Sequence, residues 1–272
     1  MIIQPHEPRI IRSRRPPLAC SPFGFPGRGG AAALQPPRVA AGGGGGFDPA
    51  TLSLTGWWRA SYGGSPWSPT ASAGSSGSNG NLTEATNAPS VGSAVNGLTP
   101  GDGDGSNDQL ANANNIATFL SDAAATIVAL IWADTAAADS GAGAYFNNPA
   151  IVSDGGTFQL GFTDSGVRLG YYDGVDHDSV AKACGTGAWH MAWGRWNSTT
   201  ASVGVDGSAG AATLARGAAS LGATPLVAFT NFNASAFFDG KILELITLDS
   251  ALSDTNIDNL KSYCNARYAL SL

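Results

Sequence analysis

The chain has 272 residues, only 12% of them charged, and contains 37 glycines and 15 prolines. Its formal charge of −6 divides unevenly: residues 1–46 hold six arginines and one glutamate, giving +5, whereas residues 47–272 hold eight basic and nineteen acidic residues, giving −11. No stretch approaches the roughly 18 consecutive apolar residues of a transmembrane helix, so we expect no membrane-spanning segment.

Residues 1–46 form a basic arm that holds eight prolines and ends in five consecutive glycines, residues 42–46. Proline removes amide donors and glycine raises the entropic cost of ordering, so this segment is not expected to build a core. We interpret it as an extended tether that anchors residues 47–272 to an assembly. The arginines expected to make this attachment are Arg9, Arg12, Arg14, Arg15, Arg28 and Arg38.

Two short sequences in the arm look like export signals but lack the apolar segment that export requires. Arg14-Arg15 and Leu18-Ala19-Cys20 are followed by proline, glycine and arginine rather than by roughly 7–15 apolar residues. Cys184 and Cys264 bring the total to three cysteines, an odd number, and no two of them have Cys-x-x-Cys spacing. We therefore expect free thiols made in a reducing cytoplasm, with one Cys184–Cys264 disulfide as the alternative.

Turn signals recur after the arm and separate runs of strand length. Residues 125–132 predict a strand that is buried on both faces, because they are almost continuously apolar. Residues 157–162 and 167–172 predict a hairpin around a four-residue loop, residues 163–166.

A second predicted hairpin consists of residues 189–196, which place large apolar side chains on one face, and residues 201–205. Together these patterns predict an all-β, two-sheet antiparallel jelly-roll sandwich. The residues predicted to lie mainly in its core are Trp132, Phe158, Leu160, Trp189, Met191, Trp193, Val203, Val205, Ile242, Leu245 and Ile246.

One helix is predicted near the C-terminus. Ser253 is a suitable N-cap, Asp254 places a negative charge in the first turn, and Leu252 can pack against Ile257. The apolar face then recurs at spacings of three and four residues, which predicts that this helix closes the sandwich and carries no chemistry. Its members are Ile257, Leu260, Cys264 and Tyr268.

Several motifs carry a family resemblance. They are Phe47-Asp48-Pro49, Leu54-Thr55-Gly56-Trp57-Trp58-Arg59-Ala60, the Trp189-His190 strand that runs into Val205-Asp206-Gly207, Asp239-Gly240-Lys241-Ile242-Leu243-Glu244-Leu245, and Leu252-Ser253-Asp254 before the helix. In these motifs residues 47–272 resemble the concanavalin A-like lectin/glucanase superfamily, in its laminin-G-like branch. The resemblance implies a jelly-roll domain over residues 47–272 and assigns the Trp-His strand and the Asp-Gly turn structural roles.

Glycosidases of that superfamily use paired carboxylates, because retaining cleavage needs a nucleophile and an acid about 5–5.5 Å apart. This chain has three glutamates, Glu7, Glu84 and Glu244, and they are not paired. His177 and His190 are not accompanied by a Gly-x-Ser-x-Gly motif. We therefore expect no catalytic residues and no enzyme, with a degenerate glycoside hydrolase as the less favoured alternative.

The acidic segment 102–108 suggests calcium binding. Oxygen-bearing residues stand at positions 1, 3, 5 and 7, but Asn107 and Ala113 replace the glycine and glutamate that an EF-hand has at positions 6 and 12. Asp102, Asp104 and Asp108 are the candidate ligands, and calcium is the only cofactor that the sequence suggests. The alternative interpretation is a solvated acidic turn.

Aromatic residues in or beside loops suggest a surface on which a sugar ring stacks. The candidate glycan-binding residues are Trp67, Tyr145, Tyr171, Tyr172 and Asp173. The alternative is that each ring packs against its own loop.

These observations favour a non-enzymatic display protein of a bacteriophage particle, such as a capsid decoration, head-fibre or tail-associated protein, made in the host cytoplasm and located in the virion. The expected partners are other virion proteins, contacted through residues 1–46, host surface glycans and further copies of the chain. No nucleic acid is expected, because the arginines of the arm lack interleaved aromatic residues. A bacterial carbohydrate-binding module or adhesin is the alternative.

Overall fold

The computed structural model describes residues 46–70, 80–85, 87–138, 150–153, 158–172, 177–215, 220–231 and 234–272, with the backbone alone for residues 177–179. The arginines of the arm, Cys20, Tyr145 and Asp173 lie outside the described residues. The arm and its boundary at residue 46 therefore stay predictions.

The described residues form two sheets and one α-helix, which confirms the antiparallel two-sheet sandwich. Sheet A has the order β13 (Ala212–Ala215), β12 (Thr200–Val205), β11 (Trp189–Trp196), β6 (Ala125–Ala133), β15 (Asp239–Leu248), β4 (Gly101–Asp104) and β3 (Ser90–Val91), with β1 (Leu54–Arg59) also paired to β15. Sheet B has the order β10 (His177–Lys182), β9 (Gly166–Tyr172), β8 (Phe158–Thr163), β7 (Ala150–Ser153), β14 (Pro225–Ala228), β5 (Leu110–Asn115) and β2 (Leu82–Glu84). Short 3-10 helices occupy Pro49–Thr51 and Ile116–Thr118.

Strand β6 lies in the middle of sheet A and is buried on both faces, as its apolar sequence predicts. Ile127 and Ile131 point into the core between the sheets, whereas Val128 and Leu130 point to the other face, under the helix. Sheet A is therefore covered on both sides, and the protein has three layers. Each large side chain buried in this way stabilises the fold by about 1.5–3 kcal/mol.

The hairpin of β8 and β9 is tighter than predicted. Thr163 pairs with Gly166, so the turn contains two residues, Asp164 and Ser165, rather than four. Gly166 has φ +98° and lies against the backbone at Cys184, which leaves no room for a side chain. The positive φ lies on Gly166 and not on Asp164 or Ser165, so the glycine that follows the turn, rather than the turn itself, adopts the left-handed conformation, as in hairpins with a glycine bulge.

The predicted helix is confirmed as α1 (Asp254–Tyr268), and the Ser253 hydroxyl accepts the amide N–H of Asn256 at 3.2 Å. Its buried residues are those predicted, Ile257, Leu260, Cys264 and Tyr268. The helix covers the outer face of sheet A instead of bridging the two sheets. No helix among the described residues is long and apolar enough to cross a membrane.

Three residues predicted for the core are only partly buried: Trp132, Trp189 and Val205. Trp132 and Trp189 face each other across the ladder of β6 and β11, on the outer face of sheet A. The other eight residues of the predicted core are buried.

Candidate functional site

A cleft of about 490 Å³ opens at one end of the sandwich, where β4 ends and β15 begins. We call it the sheet-end cleft. Its side-chain functional groups come from three loops, the last residue of β4 and the first residue of β15, and they are Asp104, Ser106, Thr135, Ser235, Phe237 and Asp239. The accessible lining of this cleft is more polar than apolar, so it differs from a mostly apolar small-molecule pocket and suits a ligand that binds through hydrogen bonds.

Two carboxylates lie side by side at this cleft because the register of sheet A pairs Asp104 directly with Asp239. The Thr135 hydroxyl donates a hydrogen bond of 2.6 Å to Asp239 Oδ2. Asp104 Oδ1 accepts the amide N–H of Ser106 at 2.8 Å. Each carboxylate is thus oriented by a neighbour.

The turn after β4 brings these groups close together. Gly105 has φ +70°, and a Cβ built on it would lie 2.7 Å from the Cβ of Asp239. Only glycine satisfies both the backbone angle and the close approach. Asp108, which is buried, accepts the amide N–H of Asp104 at 2.8 Å and holds the other end of the turn.

Aromatic side chains form the apolar part of the cleft. Phe162 and Phe238 are buried and meet edge to face, with ring centroids 6.4 Å apart. Phe237 is only partly buried, and its backbone forms bridges to Thr230 and Ala150. The cleft therefore combines a rigid aromatic base with a partly exposed ring.

The predicted calcium ligands do not converge in the described structure. Asp102 forms an ion pair with Lys241 at 3.3 Å, whereas Asp108 is bonded to the backbone of Asp104. The pKa of Asp108 is raised, chiefly by burial, and the charges of Asp104 and Asp102 raise it further. Within the described residues no group of three His, Cys, Asp or Glu side chains is arranged to hold a metal ion. Calcium binding stays a prediction.

Two of the predicted glycan-binding residues are buried, and the prediction is corrected for them. Trp67 is 3% exposed and donates its indole N–H to the Arg59 carbonyl at 2.9 Å, because its loop returns to pair with Leu82. Tyr171 is fully buried and stacks on Trp196. Tyr172 is partly buried on the opposite face of β9.

Trp132 and Trp189 are partly buried and form an aromatic surface that is more accessible than Trp67 or Tyr171. Their rings meet edge to face with centroids 5.9 Å apart. Asp134 accepts the indole N–H of Trp132 at 2.9 Å and also the ammonium group of Lys241 at 2.6 Å. The regular alternation of large apolar residues in β11 favoured a core position for Trp189 and concealed this surface.

Glu244 lies in a different environment from the cleft carboxylates. It is 2% exposed and accepts hydrogen bonds from the indole of Trp57 and the hydroxyls of Tyr263, at 3.1 Å, and Tyr268, at 2.5 Å. Burial raises the pKa of Glu244, and these hydrogen bonds oppose the rise. Because the cluster joins β1, β15 and α1 without access from solvent, its role is to attach the helix to the sheet.

Sequence reasoning missed most of the sheet-end cleft. Of its residues only Asp104 was a candidate, and that was for calcium. Thr135, Phe237 and Asp239 are distant from it in sequence and are brought to it by the pairing of β15 with β4 and with β6. The Asp239-Gly240 turn motif was the one available signal, and it indicated structure rather than binding.

Comparison with known proteins shows the fold alone. No family model and no curated protein matches the chain. Among solved structures, the binding domain of botulinum neurotoxin DC in complex with SialylT is similar at 10% identity and a TM-score of 0.54, over 79% of this chain and 52% of that chain. The same domain in complex with rat synaptotagmin II is similar at 9% identity and a TM-score of 0.55, over 78% of this chain and 51% of that chain. A Trypanosoma rangeli sialidase in complex with 2,3-difluoro-KDN is similar at 15% identity and a TM-score of 0.52, over 78% of this chain and 33% of that chain.

These neighbours support the β-sandwich that the family resemblance implies. The chain spans about half of the neurotoxin binding domain and a third of the sialidase chain. At such low identity the likeness extends to the fold and not to individual site residues.

Proposed function

We propose that residues 47–272 are a non-enzymatic glycan-binding domain and that the sheet-end cleft is its binding site. The observation that carries the proposal is the adjacent pair Asp104 and Asp239 beside the partly exposed ring of Phe237. Carboxylates accept hydrogen bonds from sugar hydroxyls, and an aromatic ring packs against the C–H face of a sugar. The neurotoxin domain bound to SialylT supports the proposal by showing a glycan complex of a similar sandwich.

The charge of the cleft defines the class of glycan. Its described lining has two carboxylates and no lysine or arginine, so a sialylated or sulfated sugar would meet like charge. Lys241 does not relieve this repulsion, because it is engaged with Asp134 and Asp102. The cleft is therefore proposed to bind neutral glycans or amino sugars.

A glycan array followed by calorimetry tests this proposal. Wild-type protein is expected to bind neutral or amino-sugar glycans, and Asp104→Asn and Asp239→Asn are each expected to weaken binding about tenfold, since a charge-assisted hydrogen bond contributes about 1.5–3 kcal/mol. Asp249→Asn, which alters an exposed carboxylate away from the cleft, is the matched control. Undiminished binding by both cleft variants would exclude the site.

We also propose that residues 1–46 attach this domain to a larger assembly and display it there. The sequence favours a bacteriophage virion as that assembly. Residues 1–46 carry +5 against −11 for the rest of the chain, so the arm is drawn to acidic neighbours while the domains repel one another. An extended arm of that length reaches about 140 Å at about 3.1 Å per residue, enough to cross a neighbouring subunit.

Deletion of residues 1–46 tests the display role independently of glycan binding. The deletion variant is expected to remain folded and to bind glycan, but to fail to join the assembly. Replacement of Arg12, Arg14 and Arg15 by serine is expected to weaken incorporation more at low salt than at high salt, because salt screens the attraction that these charges supply. Normal incorporation of the deletion variant would show that the sandwich itself makes the attachment.

A further inference from the structure

Strand β4 places a residue of the sheet-end cleft and a second acidic residue on the same face of sheet A. A Cβ built on Gly101 or on Gly103 would lie 3.0 Å or 2.7 Å from the Phe229 ring, so both glycines face the core between the sheets. Side chains alternate along a strand, and Asp102 and Asp104 therefore lie together on the outer face. The outer face of sheet A thus continues from the cleft toward the middle of the sheet.

A row of side chains crosses this outer face beside the cleft, and we call it the tryptophan row. Its members lie directly opposite one another on β4, β15, β6 and β11, and they are Asp102, Lys241, Trp132 and Trp189. Three strand spacings of about 4.8 Å give the row a length of about 14 Å. The row is therefore longer than a single sugar ring.

The loop after β6 connects the tryptophan row to the sheet-end cleft. Asp134 accepts the indole N–H of Trp132 at 2.9 Å and the ammonium group of Lys241 at 2.6 Å. The next residue, Thr135, donates its hydroxyl to Asp239 of the cleft at 2.6 Å. Successive residues of one loop hold a member of the row and a member of the cleft, so the two form one continuous surface.

The chemistry of the tryptophan row suits a neutral sugar chain. Trp132 and Trp189 are only partly buried, and an accessible aromatic ring packs against the C–H face of a sugar. The side chains of Asp102 and Asp134 are 28% and 41% exposed, and their carboxylates can accept hydrogen bonds from sugar hydroxyls as well as from Lys241. These two carboxylates outnumber the one ammonium group, so an anionic sugar would meet a net negative charge.

We propose that the tryptophan row extends the sheet-end cleft and binds the further residues of a linear, neutral oligosaccharide. This inference rests on the proposed function, because the cleft supplies the subsite from which the sugar chain continues. The ligand class is then a glycan chain rather than a single terminal sugar.

Calorimetry with sugars of increasing length tests this extension on the full chain. The probes are the monosaccharide, linear trisaccharide and linear hexasaccharide of glucose, mannose, galactose and glucosamine. In at least one series the hexasaccharide is expected to bind about tenfold tighter than the monosaccharide, because only the longer chain reaches the tryptophans. Equal affinity at all lengths would overturn the extension and leave the cleft as a site for one sugar. Failure of every probe to bind would instead overturn the proposed function, and the extension with it.

The variants Trp132→Ala and Trp189→Ala locate the effect of chain length. Each is expected to weaken hexasaccharide binding about tenfold, toward the affinity of the monosaccharide. Val91→Ala is the matched control, because Val91 is 50% exposed and pairs with the core-facing Gly101, on the opposite face of sheet A from the row. Full length dependence in both tryptophan variants would overturn the proposal.

The indole N–H signal of Trp132 in wild-type protein decides the question if either variant unfolds. In two-dimensional NMR this signal is expected to shift on titration with the hexasaccharide and to stay in place with the monosaccharide. A bound hexasaccharide that leaves the Trp132 signal in place would contradict the extension.

Discussion

Carboxylates occur in two contrasting regions of this protein. Under α1, Glu244 is sealed from solvent and surrounded by three neutral donors, the indole of Trp57 and the hydroxyls of Tyr263 and Tyr268. At the sheet-end cleft, Asp104 is exposed and Asp239 partly buried, and each keeps acceptor capacity beyond the protein hydrogen bond that orients it. The same functional group thus attaches a helix in one place and is available to a ligand in the other.

Burial and donor count, rather than residue type, separate a structural carboxylate from a binding one. Glu84 and Glu244 both lie in strands, but Glu84 is exposed and Glu244 is buried. Its complete set of protein donors leaves no role for a substrate.

Replacement of Glu244 is expected to have the largest effect. Glu244→Ala leaves three buried donors without an acceptor and opens a cavity, so the free energy of unfolding should fall by about 3–5 kcal/mol in denaturant titrations. Glu244→Gln keeps one acceptor oxygen, so the free energy of unfolding should fall by only about 1 kcal/mol. At the cleft, Asp104→Ala should change the free energy of unfolding by less than about 0.5 kcal/mol. Equal losses from Glu244→Ala and Asp104→Ala would contradict the contrast.

Gly103 tests whether the cleft rests on a packed base. A Cβ built at this position would lie 2.7 Å from the Phe229 ring and 2.8 Å from the Phe238 carbonyl. Gly103→Ala should therefore destabilise the protein by about 1–3 kcal/mol and weaken glycan binding by displacing these phenylalanines. Gly63→Ala is the matched control, because nothing lies within 4 Å of its Cβ position. If Gly103→Ala leaves the free energy of unfolding unchanged, the base of the cleft is loosely packed.

The pair of Asp206 and His190 lies between the two extremes, since it is partly exposed and carries a cation. The pKa of His190 is raised to about 10 in the folded protein, against an ordinary value of 6.5. Protonation of His190 therefore stabilises the fold fully below about pH 6.5, and this contribution is lost as the pH rises toward about 10. The stability difference between wild type and His190→Gln should shrink over that interval, and a constant difference would show that His190 does not titrate there.

Calcium is expected to have the smallest effect. If Asp102, Asp104 and Asp108 bind it with a dissociation constant of about 1 mM, then about 10 mM calcium should stabilise the fold by about 1.4 kcal/mol, and EDTA should reverse the gain in melting temperature. The pairing of Asp102 with Lys241 limits the effect, because the carboxylate must leave a cation to reach a metal ion. No shift in melting temperature would remove calcium from this loop.

Local sequence predicted the elements of the fold well. The apolar run in β6, the two hairpins and the capped helix α1 are encoded by neighbouring residues, and the structure confirms them, with a shorter turn between β8 and β9 than predicted. The position of α1 was predicted less well. Its apolar face indicates that the helix packs against the sandwich, but it does not indicate which sheet the helix covers. Trp132, Trp189 and Val205 are less buried than predicted, because a strand pattern does not reveal how completely other elements cover each face of the sheet. Trp189 and Val205 nevertheless pack against the buried clusters.

The site was harder to predict because long-range pairing creates it. Strand alternation already places Tyr171 and Tyr172 on opposite faces, so one of that pair had to be buried. In contrast, no local pattern brings Asp239 beside Asp104, or Asp206 beside His190. Those contacts depend on the register of strands that are distant in the chain.

Mapping of glycan-induced amide and indole shifts by two-dimensional NMR locates the binding site directly. On titration with a neutral glycan, we predict that shifts concentrate in residues 104–106, 135–138 and 235–239, while the indole N–H of Trp57, which is bonded to Glu244, stays unmoved. The indole of Trp132 serves as the reporter for the tryptophan pair. Shifts confined to Trp132 and Trp189, or to the residues around Glu244, would contradict the assignment of the sheet-end cleft as the binding site.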